Sequence, residues 1–188
     1  MEAILNREII SNKTACRALA VAAFIVLTAL GAFVRIPLPF TPVPITLQTF
    51  FVLLSGAVLG KRLGVFSQSS YVLLGVLGLP VFTAAGSGLL YLFGPTGGYL
   101  FGFVVAAFIT GRLIGYCKNN FFAVFALFFL ADFVLLSCGV VWLKIILGYS
   151  FMKLMVIGFF PFAAADSLKA LAAAAVYLRL KGRLQEIF

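Results

Sequence analysis

The sequence contains no histidine and only five acidic residues among 188. Without an imidazole there is no Ser–His pair and no histidine-based zinc site. No G-x-x-x-x-G-K-[ST] string is present, so ATP is not bound through a phosphate loop. The G-x-S-x-G turn and the zinc-protease helix are missing too. Cys16, Cys117 and Cys138 are odd in number and lack C-x-x-C spacing, which argues against a disulfide framework and fits small apolar fillers. No nucleophile–base pair remains, so the chain reads as a non-enzyme with neither metal nor cofactor. Charge is scarce as well: 10% of residues, against roughly 25% in a soluble domain.

Apolar residues fill the gap. The chain is 64% hydrophobic with a mean hydropathy of +1.20, the composition of an integral membrane protein. A helical crossing takes about 20 residues, so the length accommodates six. The apolar segments fall at 14–34, 46–60, 63–79, 97–116, 120–146 and 153–181. The expected fold is all-α: one polytopic membrane domain over 1–188 with six transmembrane helices. The first run, Ala18 to Val34, follows Arg7, Lys13 and Arg17. It exceeds the ~7–15 residues of a signal-peptide core and reads as the first span.

The net charge of +9 invites a nucleic-acid reading, but Lys and Arg lie between the apolar runs rather than on one polar face. Lys61–Arg62, Arg112 to Lys118 and the tail Arg179, Lys181 and Arg183 join the basic N-terminal arm on one side. The other side carries Arg35, Lys144 and Lys153. Positive residues stay inside, which predicts cytoplasmic termini and a multi-pass protein of the cell membrane, with no nucleic acid as partner.

Two external connections stand out. "RIPLPFTPVPITLQTF" holds Pro37, Pro39, Pro42 and Pro44, which stiffen it against helix and predict an apolar lid packed on the bundle. "LPVFTAAGSGLLYLFGPTGGYLFG" has no charge; irregular backbone at that depth belongs inside protein or along a cavity. Small residues recur four apart at Ala18 and Ala22, at Gly56, Gly60 and Gly64, at Gly98 and Gly102, and at Gly111 and Gly115. Such pairs bring helices close, within this bundle or against another membrane subunit.

Two acids lie in apolar segments. Asp132 has no charge partner nearby in sequence, and is open to a structural bond or to ligand and proton binding. Asp166 and Lys169 are three apart and share a helix face; Pro161 suits a first helical turn just before them. They are either an ion pair locking helices or an acceptor and donor for a polar solute. In "GPTGGYLFG", tight backbone amides with the hydroxyls of Thr96 and Tyr99 could meet a ligand, or simply turn into the next helix.

The strings "LPFTPVPITLQTFFVLLSGAVLG", "GPTGGYLFGF" and "PFAAADSLKA", in this order and spacing, closely resemble the BioY family of biotin transporters, the substrate-binding S components of energy-coupling factor transporters. The resemblance implies a six-helix protein that binds biotin from outside and works with a transmembrane coupling subunit and two ATPase subunits. It places Asp166 and Lys169, with Gly97, Gly98, Tyr99 and Thr96, at the biotin site. Thr41, Pro42, Pro44, Thr46 and Gln48 fall in the lid, and Ala18 and Ala22 on the docking stripe, where Val26 departs from a strict alanine repeat. A Pro-Gly before the acid, frequent in the family, is replaced by Ala163 to Ala165. Another small vitamin, or a scaffold role without ligand, are the alternatives.

Overall fold

The structure, a computed structural model, describes residues 13–187, with side chains up to residue 182. Arg7 and the side chain of Arg183, both part of the expected basic face, lie outside the described residues, as do the ends of the 1–188 domain. Helix α1 spans Lys13–Phe33 and α2 spans Gln48–Val76. Next come a single turn, α3 (Leu89–Leu92), and α4 (Gly97–Leu113). Helices α5 (Phe121–Leu147), α6 (Phe151–Gly158) and α7 (Phe160–Ile187) complete the bundle. Among the described residues, five helical stretches are long and apolar enough to cross a membrane. The chain is an all-α, multi-pass membrane protein.

Five stretches still make six segments, because α2 doubles back. Gly60 has φ 75° and ψ 174°, outside the helical region. Beyond it Gln68 Nε2 donates to Ser55 Oγ at 3.0 Å, although thirteen residues of straight helix would separate them by about 20 Å. Gly56 and Gly64 pack against each other across this hairpin. Its arms, 48–59 and 61–76, are about 18 and 24 Å long at 1.5 Å per residue, shorter than the ~30 Å hydrocarbon layer. The outer part of the bundle beside them is therefore filled by loops, and there a cavity forms.

Gly60 occupies backbone space that is essentially glycine-only, and nothing lies within 4 Å of a Cβ built on it. Gly60→Ala is expected to cost about 1–3 kcal/mol through backbone strain alone. Gly115→Ala, equally uncrowded and without a positive φ, should leave the melting temperature in detergent unchanged.

The basic connections gather at one end. Gly111 abuts Gly60 and Lys61, and the Lys181 ammonium donates to Lys118 O at 2.6 Å and Asn119 Oδ1 at 2.9 Å. At the opposite end the proline-rich segment folds into a short antiparallel ribbon. Strand β1 (Arg35–Ile36) faces β2 (Ile45–Thr46), with Arg35 opposite Thr46. Leu47 N donates to Gly31 O and Val34 O, both at 3.1 Å, tying the ribbon to the end of α1.

Helix α5 starts and stops on local signals. The Asn120 side chain caps it, accepting from Ala123 N at 3.2 Å, and Gly148 closes it with φ 65°. The last segment, expected as a span over 153–181, forms one apolar stretch over Phe151–Gly182 that is interrupted near its start. Phe159, at φ −126° and ψ −65°, breaks it into α6 and α7, and Pro161 occupies the first turn of α7. Proline has no N–H to continue the ladder; Phe162 N donates to Phe159 O at 3.1 Å, and Gly158 O accepts from the Tyr99 hydroxyl at 2.7 Å.

A polar seam joins α1 to the hairpin inside the apolar core. Gln68 Nε2 also donates to Thr28 Oγ1 at 3.3 Å. Thr28 donates to Phe24 O at 2.7 Å, Ser55 to Val52 O at 2.7 Å, and Ser67 to Val21 O at 3.3 Å. All four side chains are buried.

Candidate functional site

The cavity lies at the non-basic end, between the outer ends of the helices and the ribbon. Pro44, Thr46, Gln48 and Thr49 form one side, Tyr99 and Phe103 of α4 another, and Phe162, Asp166 and Lys169 of α7 a third. Leu135 and Leu136 of α5 close it, with Tyr71, Phe82 and Tyr91 adding aromatic wall. Its free volume is about 50 Å³, enough for a few waters.

The polar corner is built on α7. Asp166 is 3% exposed, and its Oδ1 accepts from the Lys169 ammonium and from Thr49 Oγ1 at 3.0 Å. Lys169 also donates to Thr49 Oγ1 at 3.2 Å and to the carbonyl oxygen of Thr46 in β2. All three ammonium hydrogens are thus engaged, one of them on the backbone of the ribbon. The spacing of three provides the ion pair. Its partner Thr49 comes from the start of α2, which the ribbon aims at α7.

A second chain of hydrogen bonds links ribbon and loop. Thr46 Oγ1 donates to Gln48 Oε1 at 3.2 Å, Gln48 Nε2 to the Tyr71 hydroxyl at 2.6 Å, and Tyr71 to Val81 O at 3.0 Å. Val81 precedes Phe82, whose ring fills the space left by Gly75 and stacks on Tyr91 at 4.8 Å. The Tyr91 hydroxyl pairs with that of Thr83. Outside this pair lies a shallow depression lined by Arg35, Thr41, Pro42 and Pro95. Pro44, Thr83, Tyr91 and Thr96 border both spaces and form the partition between them.

A profile of the BioY family matches residues 6–186. A biotin transporter of Thermotoga maritima is 43% identical over 159 residues, covering 84% of this chain and 91% of that protein. The chain belongs to the BioY family. A probable biotin transporter of Pyrococcus horikoshii is 39% identical over 162 residues, with 86% and 94% covered. Among solved structures, the S component for biotin of an ECF-type ABC transporter superposes with a TM-score of 0.86 at 25% identity. That match covers 91% of this chain and 93% of the other.

In this BioY-family chain the residues expected at the site divide in space. Asp166, Lys169, Tyr99 and Thr96 line the cavity, as do Pro44, Thr46 and Gln48 of the ribbon. Thr41 and Pro42 line only the outer depression. Gly97 and Gly98 do not line the cavity: Gly97 packs against the end of α3 and Gly98 against α5. A Cβ on Gly97 would lie 1.7 Å from Leu92 O, and one on Gly98 2.1 Å from Trp142 Cβ. They serve close packing, and Trp142 Nε1 donates to Gly94 O at 2.9 Å beside them. Ala18 and Ala22 border an exposed groove with Leu63 and Phe66 near the basic end, and Val26 is exposed on the same helix.

Sequence reasoning missed Thr49 and Tyr71. No motif marks a threonine or a tyrosine in an apolar run as polar lining. Their only signal was being hydrogen-bonding side chains in segments otherwise suited to lipid.

Proposed function

We propose that this chain binds biotin from the outside of the cytoplasmic membrane and mediates its uptake as the S component of an energy-coupling factor transporter. A transmembrane coupling subunit and two ATPase subunits are its partners in this reading. The observation that carries it is the Asp166–Lys169–Thr49 corner at the end of an aromatic cavity under a ribbon. Biotin combines ureido N–H donors and a carbonyl with an apolar thioether ring and a carboxylate tail. A carboxylate acceptor and an ammonium donor set in aromatic walls match a solute of that mixed character. The relatives named biotin transporters and the S component for biotin support the same ligand.

Ligand pockets typically enclose about 300–1,000 Å³, far more than the 50 Å³ here. Binding is therefore coupled to an outward shift of the ribbon and the Thr83–Tyr91 partition. A ligand that accepts from Lys169 competes with Thr46 O, so occupancy and the position of the ribbon are linked. The sequence has no phosphate loop, and energy comes from the ATPase partners. The exposed Ala18 and Ala22 stripe gives the coupling subunit a surface for close approach.

The test is calorimetric competition on purified protein with a panel of water-soluble vitamins. Biotin is expected to bind and to resist displacement by at least a hundredfold excess of the others, roughly the discrimination that an aimed polar pocket achieves. Equal or tighter binding of another vitamin reassigns the substrate, and no binding to any of them favours a scaffold role.

A further inference from the structure

The outer depression has so far been only the far side of the partition. It encloses about 330 Å³, a volume in the range of ligand pockets. It shares Pro44, Thr83, Tyr91 and Thr96 with the cavity, and the charged residue in its lining is Arg35 of β1. Arg35 is exposed and stands opposite Thr46 in the ribbon, where cross-strand partners share a face. Among the described residues the one ion pair is Asp166–Lys169, and the other aspartate, Asp132, is buried on α5. The guanidinium therefore borders the depression with no carboxylate paired to it among those residues. Thr41 lines the same space. Its Oγ1 accepts from Val43 N at 3.3 Å, and a hydroxyl that accepts keeps its hydrogen for a further acceptor.

A two-ended solute meets different chemistry in the two spaces. In the cavity all three Lys169 hydrogens are engaged, and an entering carboxylate would also face Asp166, a like charge in apolar surroundings. The depression offers a guanidinium, a hydroxyl and no acid. We propose that Arg35 anchors the carboxylate of the ligand. Biotin then spans the opened partition, with its ureido ring at Asp166 and Lys169 and its acid tail in the depression. An arginine fork can hold a carboxylate through two parallel N–H bonds. This assignment rests on the biotin reading and deepens it, by fixing which end of the molecule points inward. It also ties both ends of the ligand to one register of the ribbon. Thr46 O is held by Lys169, and Arg35 lies directly across from that residue.

Biotinamide, in which a neutral carboxamide replaces the carboxylate, separates the tail from the ring. The wild-type protein is expected to bind biotin about tenfold more tightly than biotinamide in calorimetric titrations, the effect of one charge-assisted contact. Arg35→Gln should lose that tenfold for biotin and bind biotinamide as the wild type does, so that the two affinities converge. Arg35→Lys should keep part of the preference, because it retains the charge and loses the fork.

A wild type that binds the two compounds equally overturns the proposal without any variant. So does an Arg35→Gln protein that keeps the tenfold preference, or one that weakens both compounds alike. In each of these cases the biotin reading stands. Binding of neither compound to the wild type sinks that reading, and the carboxylate anchor with it.

Discussion

Lys169→Ala is expected to weaken biotin binding by at least a hundredfold and to destabilise the ligand-free protein by about 3–5 kcal/mol. Removing one partner of a buried ion pair leaves the other uncompensated, and that is what such truncations cost. Two roles of the lysine are mixed in this result, since it holds the Asp166 carboxylate and the Thr46 carbonyl at once. The neutral double variant Asp166→Asn with Lys169→Met separates them. It buries no unpaired charge, so the melting temperature should recover most of the loss. Biotin affinity should stay low, because neither the carboxylate acceptor nor the ammonium donor is restored. If the double variant recovered affinity along with stability, the pair would be a helix lock and nothing more. The checks are thermal unfolding in detergent and calorimetric titration of the folded fraction.

Gly97→Ala should act by a different route. A methyl group there would lie 1.7 Å from a backbone oxygen, that of Leu92, and backbone cannot rotate aside as a side chain can. Overpacking that forces main chain to move costs about 3 kcal/mol, the upper end of the usual range. The expected result is a large drop in melting temperature, with the protein that remains folded binding biotin close to normally. The opposite pattern, unchanged stability with lost affinity, would assign the glycine to the ligand after all. Because Gly97 and Gly98 belong to the most conspicuous motif of the sequence, this variant separates packing from recognition at a position where sequence suggests recognition.

Hydropathy was enough to read the six segments, and the proline run was enough to rule out helix between the first two. Both follow from local chemistry: the bilayer sets segment length, and proline closes off the helical backbone. What stayed hidden depends on phase and on distance along the chain. Gly97 and Tyr99 are two residues apart, so on a helix they face different ways, and only the packed bundle shows that Tyr99 meets the cavity while Gly97 meets the end of α3. Thr49 and Asp166 sit on different helices, and no spacing rule connects them. Gly60 looked like one member of a small-residue stripe, and its positive φ is what turns two short arms into a hairpin. The break at Phe159 was concealed because every neighbouring residue is apolar, and Pro161 alone hinted at it.

The seam of Thr28, Ser55 and Gln68 bears on how the chain is made. Threonine and serine can satisfy themselves within their own helices, and Thr28 and Ser55 do so through Phe24 O and Val52 O. Gln68 cannot. Its amide needs acceptors supplied by α1 and by the first arm of the hairpin. Those acceptors lie nearer the N-terminus and emerge from the ribosome earlier. By the time the glutamine reaches the membrane, both acceptors for its Nε2 are already there, and synthesis from the N-terminus spares this bundle the interval in which those donors would face lipid unpaired, whereas its Oε1 has no partner even in the folded bundle.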